Sequence, residues 1–174
     1  MDAHYHQVMK AREQQADGPA KKYFAYSTIL DREAFDKWAK EHSYQFFKLP
    51  NGRLAEALDL DLVFDFPSRW WGGRVAGLQE KTGSSVFGIL FEINPKDWPI
   101  IQHKEGFITG MCIEKVVQLS VGGQKIEATA FATSPGRKSS DGPISPGFVE
   151  ALVRGAQASR LPQDYILKLK SIQG

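Results

Sequence analysis

The chain has 174 residues, of which 42% are hydrophobic and 24% charged, values ordinary for one globular domain with its own core. Its one cysteine, Cys112, excludes an intramolecular disulfide. With a net charge of +2, the chain lacks the excess of basic residues that is typical of nucleic-acid-binding proteins, so we expect no nucleic-acid partner.

Residues 1–21 are polar and lack sustained apolar periodicity. We expect a loosely ordered tail or a frayed helix there, followed by a single domain over 22–174. His4 and His6 have H-x-H spacing, but no cluster of further ligand types supports them, so we expect no metal site. The stretch lacks the apolar core of a signal peptide, and the apolar run 86–91 is too short to cross a membrane. We therefore expect a cytoplasmic protein that does not associate with membranes.

A strand, a tight turn and a helix follow in close succession. The aromatic segment 22–26 is suited to a buried strand. Thr28 and Asp31 then have the spacing of a capping box, at the start of a helix whose apolar residues extend to Ala39. This geometry directs backbone N–H groups at one point and favours an anion there.

The middle of the chain reads as strands. Strict alternation over 57–66 predicts a strand with one buried face and one mostly solvated face. Segments 75–79 and 86–93 are two further strand candidates, joined across residues 81–83. The acidic residues of the alternating segment fit the solvated face better than a metal site. They are Asp59, Asp61 and Asp65.

The second half mixes helices with a hairpin. Asn94 and Pro95 predict the start of a short helix that ends near His103. Gly122-Gly123 between two alternating segments is a strong hairpin signal, and residues 134–142 have the composition of a flexible loop. Further helices are predicted to begin at Pro146 and Pro162. With six or seven strands and few helices between them, we expect an α+β domain with a mainly antiparallel sheet or small barrel.

Common catalytic signatures of hydrolases, kinases and dehydrogenases are absent from the sequence. Residues 68–74 combine tryptophans with arginines, which fits either stacking on bases or a packed loop, and the low net charge favours the loop. Glu105 follows a short amphipathic segment among apolar neighbours. By itself it is either a surface residue or a carboxylate with a raised pKa that shuttles protons.

Six segments in chain order resemble motifs of one family. They are 23–30 (Y-F-A-Y-S-T-I-L), 58–64, 70–73 (W-W-G-G), 83–93, 105–111 (E-G-F-I-T-G-M) and 161–165 (L-P-x-x-Y). The chain is similar in these segments to the gamma-glutamylcyclotransferases, and the resemblance extends over residues 22–172. It implies a small, mainly antiparallel closed β-barrel flanked by helices.

The resemblance also implies an activity. Members of the family cleave gamma-glutamyl amides or peptides by intramolecular cyclisation, which releases 5-oxoproline and a free amine or amino acid. No metal or other cofactor takes part. Glu105, at the position of the family's glutamate before glycine, would act as the general acid and base. The expected partner is a small gamma-glutamyl substrate. Because some branches of the family form dimers, the resemblance also leaves a homodimer as an alternative to a monomer.

The substrate-binding residues carried over by the resemblance surround the first motif. They are Tyr26, Ser27, Thr28, Ile29, Leu30 and Phe131. Backbone N–H groups of 27–30 would bind the substrate α-carboxylate, and Phe131 would form a wall of the cavity.

Several positions depart from the family pattern. Ser27 replaces a glycine, and its Cβ is expected to obstruct the ligand or strain the turn. Thr28 and Ile29 replace serine and asparagine, while Phe131 and Cys112 stand where relatives carry tyrosine. These departures keep a second hypothesis open, in which the chain is a catalytically silent relative that binds an amino-acid-like ligand or a protein.

Overall fold

Five strands close into a barrel in the computed structural model, which describes residues 3–172. The strands are β1 (Lys21–Ala25), β2 (Arg53–Ser68), β3 (Gly73–Ile93), β4 (Cys112–Val121) and β5 (Gln124–Thr133). The helices are α1 (Tyr5–Gln14), α2 (Arg32–Glu41), α3 (Trp98–Glu105), α4 (Pro146–Ala158) and α5 (Gln163–Lys170). Single 3-10 turns cover Thr28–Leu30, Pro95–Asp97 and Pro135–Arg137.

The barrel is antiparallel except at one contact. Its strand order is β1-β3-β2-β4-β5, and β1 closes it by pairing in parallel with β5 at Tyr23 and Thr129. The predicted α+β class and mainly antiparallel closed barrel are therefore confirmed. Closure leaves the short β1 between two neighbours, so its side chains 23–25 are fully buried at the barrel core.

The predicted turn at residues 81–83 is wrong, because 75–79 and 86–93 belong to one continuous strand, β3. Between the pairs Leu60–Glu80 and Leu58–Ser85, four β3 residues face the single β2 residue Asp59. The Asp59 carboxylate accepts a hydrogen bond from the Gly83 N–H at 2.9 Å. This bulge accommodates the positive φ of Gly83 without reversing the chain.

A second irregularity ends the simple alternation predicted for 57–66. The β2–β3 register shifts between Val63 and Phe66, and residues 61–66 are all half-buried. The Asp65 carboxylate, expected in solvent, accepts a 2.6 Å hydrogen bond from the Thr133 hydroxyl of β5. The bends that these bulges introduce expose both faces of β2 partially.

The N-terminal segment contains a packed helix instead of a loosely ordered tail. Val8 of α1 is fully buried, and the ring of Tyr5 stacks on Tyr44 at a centroid distance of 5.7 Å. Arg12 forms an ion pair with Asp97 at 2.8 Å. A few anchoring contacts to the 3-10 turn and helix at 95–105 thus order a segment whose own apolar pattern is weak.

The predicted start of α2 is replaced by a 3-10 turn at Thr28–Leu30, and the α-helix begins at Arg32. No side chain caps α2; the carboxylate of Asp31 at its N-cap instead pairs with Arg154 of α4 at 2.9 Å. The hairpin at Gly122-Gly123 and the helix start at Pro146 are confirmed, and the hydroxyl of Ser145 caps that helix by accepting from the Phe148 N–H.

Candidate active site

Glu105 is the last residue of α3. Gly106 follows in the left-handed conformation at φ +92°, which ends the helix without the cost that a side chain would impose. The N–H groups of Met111 and Cys112 both donate to the Gly106 carbonyl, at 2.9 and 3.1 Å. These bonds fix the helix end against the start of β4, and the Glu105 side chain faces a cavity there.

Tyr23 of β1 holds the Glu105 carboxylate by donating a hydrogen bond from its hydroxyl to Oε1. Its side chain is 1% exposed and packs edge-on against Trp98 and Phe131. Burial, followed by the nearby Glu105 charge, raises the pKa of Tyr23 well above its ordinary value. The hydroxyl therefore stays protonated and remains a donor throughout the physiological pH range.

The surroundings of Glu105 favour its neutral form. Although part of its surface is open to the cavity, burial raises the pKa of the carboxyl group above its ordinary value. The Lys104 ammonium and the Tyr23 hydrogen bond act in the opposite direction and limit the rise. Burial in turn lowers the pKa of Lys104, against the attraction of Glu105. A carboxyl group with a raised pKa can both accept and return a proton during a reaction.

The cavity beside Glu105 has a volume of about 160 Å³. That is below the roughly 300–1,000 Å³ of pockets for drug-sized ligands, so it suits one small group. Glu105 shares this cavity with Tyr26, Ser27 and Thr28 from the predicted set. The remaining walls are Trp38, Phe66, Ser68, Trp70, Trp71, Val75, Ala76, Lys104, Gly106, Cys112 and Phe148.

Ile29 and Leu30 do not line this cavity. Their side chains are buried and line a separate cleft on the other side of the 3-10 turn. The Leu30 N–H donates to the Ser27 carbonyl at 3.2 Å, so this amide is already used within the turn. The turn thus separates two openings, with Ser27 and Thr28 on one side and Ile29 and Leu30 on the other.

Phe131 lies behind the cavity wall. Its side chain is 1% exposed and packs among aromatic rings, including Tyr23 and Trp98. Its backbone carbonyl accepts a 2.5 Å hydrogen bond from the hydroxyl of Tyr26, which does line the cavity. Phe131 is therefore not a wall of the cavity itself, and it supports two residues of the site, Tyr26 and Tyr23.

Ser27 adopts φ −117° and ψ −157°. This is extended backbone, which any residue adopts, so the expected strain from replacing glycine does not arise here. The side chain is half-buried at the cavity edge. Of the two effects expected of Ser27, only obstruction of the ligand by its side chain stays a prediction.

The loop between β2 and β3 supplies walls that were expected only to pack. Trp71 does pack, edge-on against Phe148 at 5.5 Å, whereas Trp70 is 43% exposed at the cavity. Their motif was visible in the sequence, but its distance of more than thirty positions from Glu105 hid the contact. Cys112 also lines the cavity, and burial raises the pKa of its thiol far above the ordinary value.

Residues 3–172 lack two further features. No group of three or more His, Cys, Asp and Glu side chains in this range is arranged to hold a metal ion. Within the same range, no helix has both the length and the apolar character required to span a membrane.

Comparison with known proteins agrees with this barrel. The AIG2-like family matches residues 85–169. A gamma-glutamylcyclotransferase from Bos taurus is 27% identical over 162 residues, covering 90% of this chain and 81% of the relative. The enzyme of that name from Homo sapiens is 26% identical over 152 residues, covering 87% of this chain and 78% of the relative.

A solved structure of a gamma-glutamyl cyclotransferase superposes with a TM-score of 0.73 over 88% of each chain, at 23% identity. At that identity the likeness establishes the fold. Together with the AIG2-like match and the two relatives, it makes this chain similar to the gamma-glutamylcyclotransferases in both sequence and fold.

Proposed function

We propose that this protein cleaves a gamma-glutamyl amide or peptide by intramolecular cyclisation, releasing 5-oxoproline and a free amine or amino acid. The observation that carries the proposal is Glu105, a carboxylate with a raised pKa in a small cavity that Tyr26, Ser27 and Thr28 also line. The relatives named gamma-glutamylcyclotransferase support the reaction class.

The chemistry needs one group that both takes and gives a proton. The substrate α-amino nitrogen attacks the γ-carbonyl carbon, and Glu105 removes a proton from that nitrogen. When the tetrahedral intermediate collapses, the bond from the carbonyl carbon to the leaving nitrogen breaks, and Glu105 returns the proton to that nitrogen. No water is consumed. Because nucleophile and electrophile belong to one molecule, the protein's main task is to hold the folded conformer.

Charges around the cavity fit the glutamyl end of such a substrate. We assign the α-carboxylate to the edge formed by Ser27 and Thr28, with backbone N–H groups of 27–29 as donors and the Leu30 amide excluded by its bond to Ser27. Lys104 lines the same cavity and carries a positive charge when protonated. Tyr23 acts as a positioning residue, because it fixes the carboxylate that moves the proton.

The test is 5-oxoproline release from gamma-glutamyl dipeptides, gamma-glutamyl amines and glutathione. We expect the parent to turn over at least one of them. Glu105→Gln should lower kcat by roughly 10²–10⁴-fold, the usual contribution of general acid–base catalysis. Asp36→Asn is the matched control, because Asp36 lines the separate cleft and should leave turnover unchanged.

The outcomes separate the two hypotheses. Equal activity of the parent and Glu105→Gln would refute the mechanism. Silence of the parent on the whole panel would favour a relative that binds its ligand without turnover. Circular dichroism of each variant distinguishes a lost proton carrier from a lost fold.

A further inference from the structure

A groove with its own charge lies next to the Glu105 cavity. It has a volume of about 820 Å³, and the cavity and the groove share Phe66, Ser68 and Trp70 as walls. A ligand group that emerges from the cavity past these residues therefore enters the groove. We call it the arginine groove, after the three arginines that line it: Arg69, Arg74 and Arg137.

Two of these arginines have charge available for a ligand. Arg69 and Arg137 are exposed, and within residues 3–172 neither side chain forms an ion pair or a hydrogen bond. Asp141 is the one acidic residue among the groove walls, so the lining is cationic on balance. Guanidinium groups of this kind match a carboxylate in shape and charge.

Arg74 has a structural role instead, because its guanidinium donates hydrogen bonds to backbone carbonyls. Its Nη1 donates to the Phe64 carbonyl at 2.6 Å, and its Nε donates to the Gly142 carbonyl at 2.9 Å. It thus connects β2 to the segment that follows β5.

Residues 134–142 were expected to form a flexible loop, but hydrogen bonds hold them and the following residues 143–145 as a wall of the groove. The Ser139 N–H donates to the Asp65 carbonyl at 2.9 Å. Pro143 and Ser145 pair with the backbone of Arg74, each at 3.0 Å. Arg137 therefore projects from a segment anchored to β2 and β3 on its C-terminal side.

We infer that the arginine groove binds the leaving half of the substrate, and that this half carries a carboxylate recognised by Arg69 and Arg137. The inference rests on the proposed function, because the cavity must hold the glutamyl half for the groove to face the other half. Phe66, Trp70 and Met111 supply apolar surface for a leaving side chain. The substrate class is accordingly a gamma-glutamyl amino acid or peptide with an apolar residue after the scissile bond, in preference to a gamma-glutamyl amine.

The test compares gamma-glutamyl-leucine with its carboxamide, which differs only in the charge of the leaving half. Binding is measured by calorimetry on the Glu105→Gln protein, so that turnover cannot interfere. The test variant adds Arg69→Gln and Arg137→Gln. The matched control adds Arg32→Gln and Arg53→Gln, which remove the same charge at exposed positions outside the groove.

We expect the acid to bind about tenfold more tightly than the carboxamide, as suits charge-assisted pairs at a partly exposed site. The Arg69/Arg137 variant should lose this preference, and the control should keep it. Raising the salt concentration should narrow the difference, because exposed charges are screened.

Equal binding of acid and carboxamide, a preference for the carboxamide, equal losses in the two double variants, or failure of both ligands to bind would each overturn the inference. The parent assayed for 5-oxoproline release decides the proposed function separately. Turnover without dependence on Arg69 and Arg137 refutes the groove assignment and leaves the reaction intact. Acid-selective binding without turnover supports the groove and refutes the reaction.

Discussion

The 3-10 turn at Thr28–Leu30 separates two openings that differ in size and in chemistry. The Glu105 cavity measures about 160 Å³, whereas the cleft on the other side measures about 250 Å³. The cleft carries its charges on Arg32, Asp36 and Lys48, all solvent-accessible. Only the smaller cavity holds a carboxylate whose pKa is raised by burial and whose orientation is fixed by a buried hydroxyl. Desolvation of an ionisable group therefore distinguishes the candidate site from the other opening, whereas volume does not.

Removing the Tyr23 hydroxyl that orients Glu105 should lower kcat more than any other change described below, and far more than an equivalent change outside the cavity. In Tyr23→Phe the charged Glu105 carboxylate loses the hydrogen bond that the Tyr23 hydroxyl donates to it. We therefore expect kcat to fall by about 10–100-fold. The pKa of Glu105 should rise further, because that bond stabilises the ionised form. The acidic limb of the pH profile should then move to higher pH.

The matched control for that variant is Tyr165→Phe, since Tyr165 is a similarly buried tyrosine that packs against Phe87 outside the cavity. If both variants lowered kcat equally and left the pH profile in place, Tyr23 would be a packing residue only.

The turn itself is supported from α4, at Gly155. A Cβ at Gly155 would lie 2.8 Å from the Asp31 nitrogen and 2.9 Å from the Leu30 carbonyl carbon, so Gly155→Ala should push the turn away. We expect a loss of about 1–3 kcal/mol in the free energy of unfolding, measured with urea. Gly147→Ala in the same helix meets its nearest atom at 3.9 Å and should not destabilise. Equal free energies of unfolding for the two variants would contradict this prediction, because they would show that the turn can shift away from the added methyl group at no cost.

Lys104 offers a test of the electrostatics on the cavity side. Its ammonium lowers the pKa of Glu105 against the effect of burial, so Lys104→Gln should raise that pKa. Because the base must be ionised to accept a proton, the acidic limb of kcat/KM should move to higher pH. Lys37→Gln, which removes an ammonium 5.9 Å from the Trp70 ring centroid, is the control and should leave the limb in place. An unmoved limb in Lys104→Gln would contradict the assigned charge coupling.

Ser27→Gly should have the smallest effect. The backbone of Ser27 is extended, so glycine relieves no strain there, and kcat/KM should change by less than about threefold. Steady-state kinetics on the preferred substrate measure this directly. An increase of about tenfold or more would show that the Ser27 side chain blocks the cavity and that the backbone argument is insufficient.

Local signals predicted the elements whose geometry depends on neighbours in sequence. The Gly122-Gly123 hairpin and the helix start at Pro146 could be predicted from adjacent residues alone. The continuous β3 could not be predicted, because the bulge that lets Gly83 remain within the strand depends on Asp59, a residue of the opposite strand. The sequence left a loosely ordered tail and a frayed helix as alternatives for residues 1–21, and it could not predict a packed helix α1, since the stability of this helix comes from contacts with residues far along the chain.

The candidate site divides in the same way. The family motifs led from the sequence to Glu105, Tyr26, Ser27 and Thr28, which the barrel brings together around one cavity, although their roles remain predictions. Ile29, Leu30 and Phe131 were included because they are adjacent in a motif or aligned with one. A single turn of backbone directs Ile29 and Leu30 to the other opening.

By itself, the sequence determined the α+β class and the resemblance to the gamma-glutamylcyclotransferases, and it predicted Glu105 as the candidate carboxylate, because these depend on residue types and their order. Only the tertiary structure decided what surrounds that carboxylate. The Tyr23 hydroxyl donates to Glu105 across 82 positions of sequence. The groove arginines lie next to the Glu105 cavity only because the folded barrel brings their segments together. Burial and distance set a pKa and a ligand contact, and both arise from which distant segments the fold packs together.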